Sequence, residues 1–330
     1  MSGAKAFLLA AGFGKRMLPF TERMAKAALP FFGKPLAAWS LDSLKSAGVR
    51  DVTVNLHHLG ESVKAALAPY IDASLNLSLS EEDHILGTGG GVKRCLPALA
   101  GGELCILNAD TYRDFELKRM KAFHDKNEAV VTLALAPAPP KREAPIEVGP
   151  DGRVLRFLGA GPGGGTPCDF IGAHLFSPEG VEAIGAVGAE SFCINAEVNR
   201  HLVERGAKVF GVLIEEGRWW SDLGTPQRFM EGHRHFLGKG VLPPGCSGHL
   251  VTMPEVAAAG GKILGPSWVG ESIVVEEGAV AGPYAVLGEG CRVMAGASFE
   301  SSILFPGATA QGTKLGSLIS PEGLEALVDI

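Results

Sequence analysis

Lys5-Ala6-Phe7-Leu8-Leu9-Ala10-Ala11-Gly12-Phe13-Gly14-Lys15-Arg16 decides how the chain is read. An apolar run of strand length, Lys5 to Ala10, breaks into a loop holding two glycines and two cations. After a strand, glycines let the backbone come close to a phosphate chain and turn its N–H groups toward the oxygens, while cations such as Arg16 and Lys26 neutralise the charge. The third glycine of a dinucleotide fingerprint is absent, Met17 standing in its place, and no Gly-Lys-Ser/Thr of a P-loop follows.

Working outward, short apolar runs alternate with helical patterns, the mark of βαβ units and a mostly parallel sheet. Pro35 to Ala47 reads as a helix with proline at its start and Gly48 as its C-terminal cap. Val52–Leu56, Leu75–Leu79, Leu104–Leu107 and Glu128–Leu135 read as strands, and Ser62–Leu67 and Val92–Leu99 as helical. The expected fold is α/β, a Rossmann-like doubly wound open sheet, in which ligands bind at the carboxyl ends of strands. Residues 10–16 and 108–114 both follow strands and are therefore placed for chemistry. The stretches Pro137–Pro145 and Gly159–Pro167 read either as mobile loops beside the site or as solvated connections.

The 330 residues, 46% hydrophobic and 20% charged with formal net charge −6, allow about two domains with sizeable cores. Without a basic block there is no electrostatic footprint for nucleic acid or an anionic membrane. Ala6–Ala11 is too short for a signal segment, and no stretch reaches the roughly 20 apolar residues that span a bilayer. Six cysteines with no Cys-x-x-Cys pair read as reduced, mostly buried thiols of a cytoplasmic protein.

Beyond residue 238 the composition changes. Gly238 to Gly261 lacks consistent periodicity and reads as a linker. Then Ile263, Val269, Val275, Ala281, Leu287, Val293, Phe299 and Phe305 hold a period of six without a miss, with small residues at Ser267, Ala279, Ala285, Cys291 and Ala297. At this composition eight hits in one chosen frame have a chance probability of about 0.002. The pattern resembles the hexapeptide repeat of left-handed parallel β-helices and implies only about 2.7 coils, short enough to need a partner surface. The expected division is 1–238, a linker over 239–262, and a β-helix with tail over 263–330.

The segment Leu9 to Arg16 with Pro19, Thr21, Lys26, Leu29-Pro30 and Gly33-Lys34-Pro35 resembles the signature of sugar-1-phosphate nucleotidylyltransferases. Matches continue in order through Asn55-Leu56-His57-His58, Glu82 with Ile85 to Gly91, Leu107 to Tyr112, Phe170-Ile171-Gly172 and Trp220 to Pro226. The resemblance covers about 1–237 and implies Mg²⁺-dependent transfer from a nucleoside triphosphate to a sugar-1-phosphate, without nucleic acid or membrane as partner. It implies that Arg16 stabilises the triphosphate and transition state and that Lys26 holds the phosphates of both substrates. Asp110 and Asp222 would bind Mg²⁺, which suits two carboxylates at strand ends. Ala10, Ala11, Gly12, Gly14, Lys15, Glu82, Gly87, Thr88 and Asn108 fall in the nucleotide-binding motifs, and Gly172 in the sugar-binding one. Glu82, an acceptor only, suits guanine or uracil, and otherwise reads as a surface charge in Glu81-Glu82-Asp83. His57 and His58 read as structural, and Trp219 and Trp220 as packing around Asp222.

The pattern departs from the family at three places. Ala25 replaces a proline, Ala109 replaces a glycine that lets the ligand approach, and no Glu-Lys sugar grip is visible between Arg153 and Gly165. The loop Gly87-Thr88-Gly89-Gly90-Gly91, the Asn-x-His-His segment and the tail together most resemble mannose-1-phosphate guanylyltransferases. Uridylyltransferases for glucose- or N-acetylmuramate-1-phosphate and a non-catalytic NDP-sugar-binding relative are the alternatives. Residues 263–310 hold no histidine to serve as an acyl-transfer base, so the tail reads as a surface for homo-oligomer formation or regulation.

Overall fold

The computed structural model describes all residues of 1–330 except Ser2, Ala100 and Lys141. In chain order the elements begin with β1 (Lys5–Leu9), β2 (Pro30–Phe31), β3 (Lys34–Pro35), α1 (Leu36–Ala47), β4 (Asp51–Leu56), α2 (Gly60–Leu67) and β5 (Asn76–Glu81). Next come α3 (Gly87–Leu99), β6 (Leu104–Asn108), β7 (Tyr112–Arg113), α4 (Leu117–Lys126), β8 (Val131–Pro137), β9 (Ile146–Val148) and β10 (Val154–Phe157). Then follow β11 (Thr166–Phe176), α5 (Pro178–Gly185), α6 (Arg200–Glu204), β12 (Val209–Leu213), β13 (Trp220–Ser221) and α7 (Pro226–Gly238). The helix read from Val92 starts five residues earlier, at Gly87, so the glycine-rich stretch is its first turns and not a loop.

The chain packs as two compact units, Met1–Gly12 with Ala37–Asp222, and Phe13–Leu36 with Leu223–Ile330. Packing thus groups Phe13–Leu36 and α7 with the C-terminal region, whereas composition grouped them with the N-terminal one.

The first unit is built on one sheet. β5, β4, β1 and β6 lie side by side and parallel, which puts their carboxyl ends on one edge. β11 then runs antiparallel to β6, β8 and β9, and β12 pairs parallel with β8. Phe7, Ile106, Leu133, Leu135, Phe176 and Val209 are fully buried in its core. The glycine-rich stretch before β11 is fastened, since the N–H groups of Gly164 and Gly165 donate to Glu147 Oε2 at 2.6 and 3.1 Å. Arg156 closes the other Glu147 oxygen at 2.8 Å.

The second unit contains parallel coils. Val280 pairs with Ser298, Val286 with Ile303, and Ser298 with Thr313, so successive coils take 18, 17 and then 15 residues. The inward register holds from Ile263 to Phe299. It slips by one at Ser301, whose φ is +45°, so that Leu304, and not Phe305, pairs with Leu287 and faces inward. Phe305 instead packs edge-on against Phe20 and Phe229, with ring centroids 5.0 and 5.9 Å apart. The coils continue to Ile319, past the end of the sixfold pattern, because shortened coils break the period without breaking the ladder. Part of the stretch read as a linker is strand: His249–Val251 and Glu255–Val256 pair antiparallel with the first coil.

An aromatic cluster joins the signature segment to these coils. The β2–β3 hairpin turns on Phe32 and Gly33, with φ +49° and +72°, a two-residue turn that needs both angles positive. Phe32 is held there by burial among His233, Phe236 and Trp268. A Cβ on Gly33 would lie 2.8 Å from the Trp268 ring. His233 accepts the Phe32 N–H at Nε2 (3.2 Å) and donates from Nδ1 to the Phe229 carbonyl (2.9 Å). A chain ended at residue 238 loses Trp268 and Phe305 from this cluster. It is expected to melt well below the full chain and to bind a hydrophobic dye; an unchanged melting temperature would remove the structural role given to the coils.

Burial pushes three histidines down, His124 and His174 to about 4 and His233 to about 3. All three are neutral in the fold and take up protons once unfolded. Their contribution is therefore complete above the ordinary value of 6.5 and drains as pH falls toward the folded values. The unfolding free energy from urea titration is expected to drop between pH 7 and pH 5, by about 1 kcal/mol per histidine per pH unit. A flat profile would contradict these neutral states.

Candidate active site

In the first unit the sequence-predicted residues gather along the carboxyl edge of β5, β4, β1 and β6. Ala10 follows β1, Glu82 follows β5, Asn108 closes β6 and Asp110 lies just beyond it. A buried chain of hydrogen bonds ties the first two together. The Ala10 N–H donates to Asn55 Oδ1 at 2.8 Å, Asn55 Nδ2 donates to Glu82 Oε1 at 2.7 Å, and the Leu86 N–H donates to Glu82 Oε2 at 3.1 Å. Glu82 is 5% exposed, so it is an internal carboxylate and not a surface charge. His57 bonds the Glu82 carbonyl at 2.7 Å, in keeping with a structural role.

Each glycine at the start of α3 makes room for a neighbour. Cβ atoms on Gly87 and Gly89 would meet the Phe192 carbonyl at 2.5 Å and its ring at 2.1 Å, and one on Gly90 would meet the Glu190 carbonyl at 2.1 Å. On Gly91 it would reach Glu82 Oε1 at 2.6 Å. The Gly89 N–H donates to the Phe192 carbonyl, and Thr88 Oγ1 accepts from the Ile194 N–H, both at 2.9 Å. The segment around Phe192 thus docks on Gly87–Gly90.

Asp110 and Asp222 are joined by a short ladder. β7 and β13 pair antiparallel, Tyr112 opposite Ser221 and Arg113 opposite Trp220. That register carries Asp222 to the end of the ladder from which Asp110 and Thr111 enter. Thr111 Oγ1 donates to Asp110 Oδ1 at 3.3 Å. Trp219 stacks at a tilt on Tyr112, 5.8 Å between centroids, as expected of packing residues. Two carboxylates suit an oxygen-seeking divalent ion that keeps water and phosphate in its remaining positions, and among the described residues no third ligand of the His/Cys/Asp/Glu type joins them. The donor set therefore fits Mg²⁺.

Gly172, with φ +80°, lies in the irregular middle of β11, where a Cβ would come within 3.2–3.3 Å of Asn108, Thr111 and Arg113. Ala109 is wholly buried. The methyl group that distinguishes it from glycine is inside the fold.

In the second unit the signature segment forms three short turns. Gly14, at φ +64°, sits over Thr21 and Lys26: a Cβ there would lie 2.8 Å from Thr21 Cγ2 and 3.1 Å from Lys26 Cβ. Thr21 Oγ1 returns a hydrogen bond to the Gly14 carbonyl at 3.0 Å. Lys26 is buried, Arg16 and Lys15 are exposed, and Lys15 Nζ lies 5.2 Å from the centre of the Phe13 ring. The cysteines are free, with Cys105, Cys168 and Cys291 buried, Cys95 and Cys246 half-buried and Cys193 exposed.

Two residues of this arrangement carried no role in the sequence reading. Asn55 was legible only as part of a motif. Arg113 had a signal, a cation directly after the apolar and polar run from Leu104 to Tyr112, and it is buried.

A model of the nucleotidyl transferase family matches residues 5–238. The chain belongs to the nucleotidyl transferase family. This nucleotidyltransferase is 29% identical over 312 residues to the mannose-1-phosphate guanylyltransferase of Mycobacterium tuberculosis, covering 89% of this chain and 82% of that one. It is 32% identical over 234 residues to the N-acetylmuramate alpha-1-phosphate uridylyltransferase of Neisseria meningitidis, covering 69% and 96%. Among solved structures, HddC from Yersinia pseudotuberculosis in complex with GMP-PN superimposes with a TM-score of 0.55 at 16% identity, over 71% of this chain and 99% of that one, a likeness of fold.

Gly89→Ala is expected to force the added methyl into the Phe192 ring and cost about 1–3 kcal/mol of stability, read as a lower melting temperature. Gly188→Ala, where a Cβ meets nothing within 4 Å, is the control and should be silent. Equal melting temperatures for both would refute the packing role of the α3 glycines.

Proposed function

We propose that this nucleotidyltransferase is a Mg²⁺-dependent sugar-1-phosphate guanylyltransferase, converting GTP and mannose-1-phosphate into GDP-mannose and pyrophosphate. The observation that carries the metal-dependent reaction is the β7–β13 ladder, which draws Asp110 and Asp222 together from positions far apart in the chain. What favours mannose and guanine is that, among relatives matching into the coils, the mycobacterial guanylyltransferase is 29% identical over 312 residues against 24% over 332 for the glucose-1-phosphate thymidylyltransferase of Streptomyces antibioticus, while the uridylyltransferase match spans 234.

A sugar phosphate, with a second pKa near 6, is already a dianion at pH 7. Its oxygen attacks the α-phosphorus in line, forming the new P–O bond as the bond to pyrophosphate breaks, and no protein base is needed. When bound, Mg²⁺ supplies charge neutralisation and orientation of phosphate oxygens. Asp110 and Asp222 would hold it. Arg16 and Lys26 supply fixed positive charge for the triphosphate and for the phosphates of both substrates. Backbone at Ala10, Ala11, Gly12 and Gly14, together with Lys15, receives the phosphate chain. Gly87, Thr88 and Asn108 contact the nucleotide, and Glu82 keeps lone pairs free for a base N–H beyond its two internal bonds. Gly172 offers backbone to the sugar. The coils form the homo-oligomer surface.

The test is pyrophosphate release from GTP, UTP, dTTP, ATP and CTP against mannose-, glucose- and amino-sugar-1-phosphates, with and without Mg²⁺. The strongest signal is expected for GTP with mannose-1-phosphate. A dominant UTP signal would give the uridylyl reading instead, and silence with an NDP-sugar still raising the melting temperature would make the chain a binding subunit. Asp110→Asn and Asp222→Asn are each expected to lower turnover by about 10³-fold with unchanged folding. Full activity in both would sink the metal assignment.

A further inference from the structure

Arg113 is a buried cation whose fork meets no anion at contact distance. Nη2 donates to the Asn108 carbonyl at 2.6 Å, Nε to the Ile171 carbonyl at 3.2 Å and Nη1 to Ser40 Oγ at 3.3 Å. Ser40 Oγ in turn donates to the Asn108 carbonyl at 3.2 Å. Every acceptor is neutral, and among the described residues no carboxylate lies within ion-pair distance of the guanidinium. Burial holds it down to about 10, which leaves it charged at neutral pH, and Asp110 is the carboxylate whose attraction acts on it. A buried charge held by three bonds to two strands and a helix is screened little by salt and is fixed in place. Gly172 adds to the confinement, since even a methyl there would come within 3.3 Å of Nη2.

Fixed beside Asp110, the guanidinium offsets part of the negative charge that the two carboxylates present to a free cation, in a setting where charges are felt strongly. We propose that Arg113 is a positioning residue that weakens the hold of Asp110 and Asp222 on a free divalent ion, so that the ion enters together with the triphosphate and not before it. The proposal rests on the reading of Asp110 and Asp222 as the metal pair. The triphosphate supplies the missing negative charge, and the resting enzyme avoids a tightly held ion that would have to be released at each turnover.

The experiment measures Mn²⁺ alone, without nucleotide, by the EPR signal of the unbound ion on the full-length protein. Arg113→Met and Arg113→Gln remove the charge, and Arg113→Lys keeps it without the fork. The neutral variants are expected to bind Mn²⁺ roughly tenfold tighter than the unaltered protein, and Arg113→Lys to match it. Melting curves accompany each variant; if methionine at 113 prevents folding, glutamine, which retains two donors, carries the comparison. The gain should vanish in the double variant Arg113→Gln/Asp110→Asn, which supports the electrostatic role. Unchanged or weaker Mn²⁺ binding in a folded neutral variant overturns it and leaves Arg113 a brace for the strand ends. Mn²⁺ binding that is indifferent to Asp110→Asn in every background overturns the metal reading itself. A matching tenfold fall in the Mg²⁺ concentration that half-saturates turnover of Arg113→Gln is the second readout.

Discussion

The first unit depends on a strand that breaks its own regularity. β11 is 11 residues long and must pair with β9 and β8 at its start and with β6 and β8 at its end. The register slips between Phe170 and His174, and Gly172 adopts a φ open to few other residues. The irregularity leaves the Ile171 carbonyl to Arg113, and so brings a cation from β7 beneath the end of β6. From there the β7–β13 ladder sets the two carboxylates. One departure from ideal pairing thus shapes the backbone assigned to the sugar, the seat of the buried guanidinium and the ends of the strands that carry Asp110 and Asp222.

The second unit is organised by aromatic packing. Phe31, Phe32, Phe229, His233 and Trp268 meet edge to face or at a tilt, geometries in which ring edges approach ring faces. The segment bearing Gly14, Arg16 and Lys26 is short and made of single turns, too small to bury a core of its own. It gains one by sharing rings with α7 and the coils. The C-terminal coils are for this reason part of what shapes the signature segment, whatever they also bind.

Much of the candidate site was legible because its chemistry is local. A strand followed by glycines and cations, and carboxylates placed just after strands, are patterns within a few residues, and the order of elements places them on one edge of the sheet. The glycines of α3 were legible as a motif but not in their packing role. Their neighbours, Phe192 and Glu190, lie a hundred residues away, so no local pattern announces them. Asn55 and Arg113 were passed over for the same reason, since most of their partners sit on or just after other elements.

The period of six announced coils by itself, because inward positions of a regular coil recur at fixed spacing. It failed at Phe305, where one residue is dropped and the side chain leaves the interior for Phe20 and Phe229. The sequence by itself determined the α/β order, the glycine- and cation-bearing loop after β1, the coils and the family, all of which follow from periodicity and short motifs. Only the tertiary structure decided which segments share a core, that Glu82 is internal, and that an unpaired cation lies beside Asp110. Burial and long-range hydrogen bonding are properties of the folded chain, and they are set by residues that no reading along the sequence brings together.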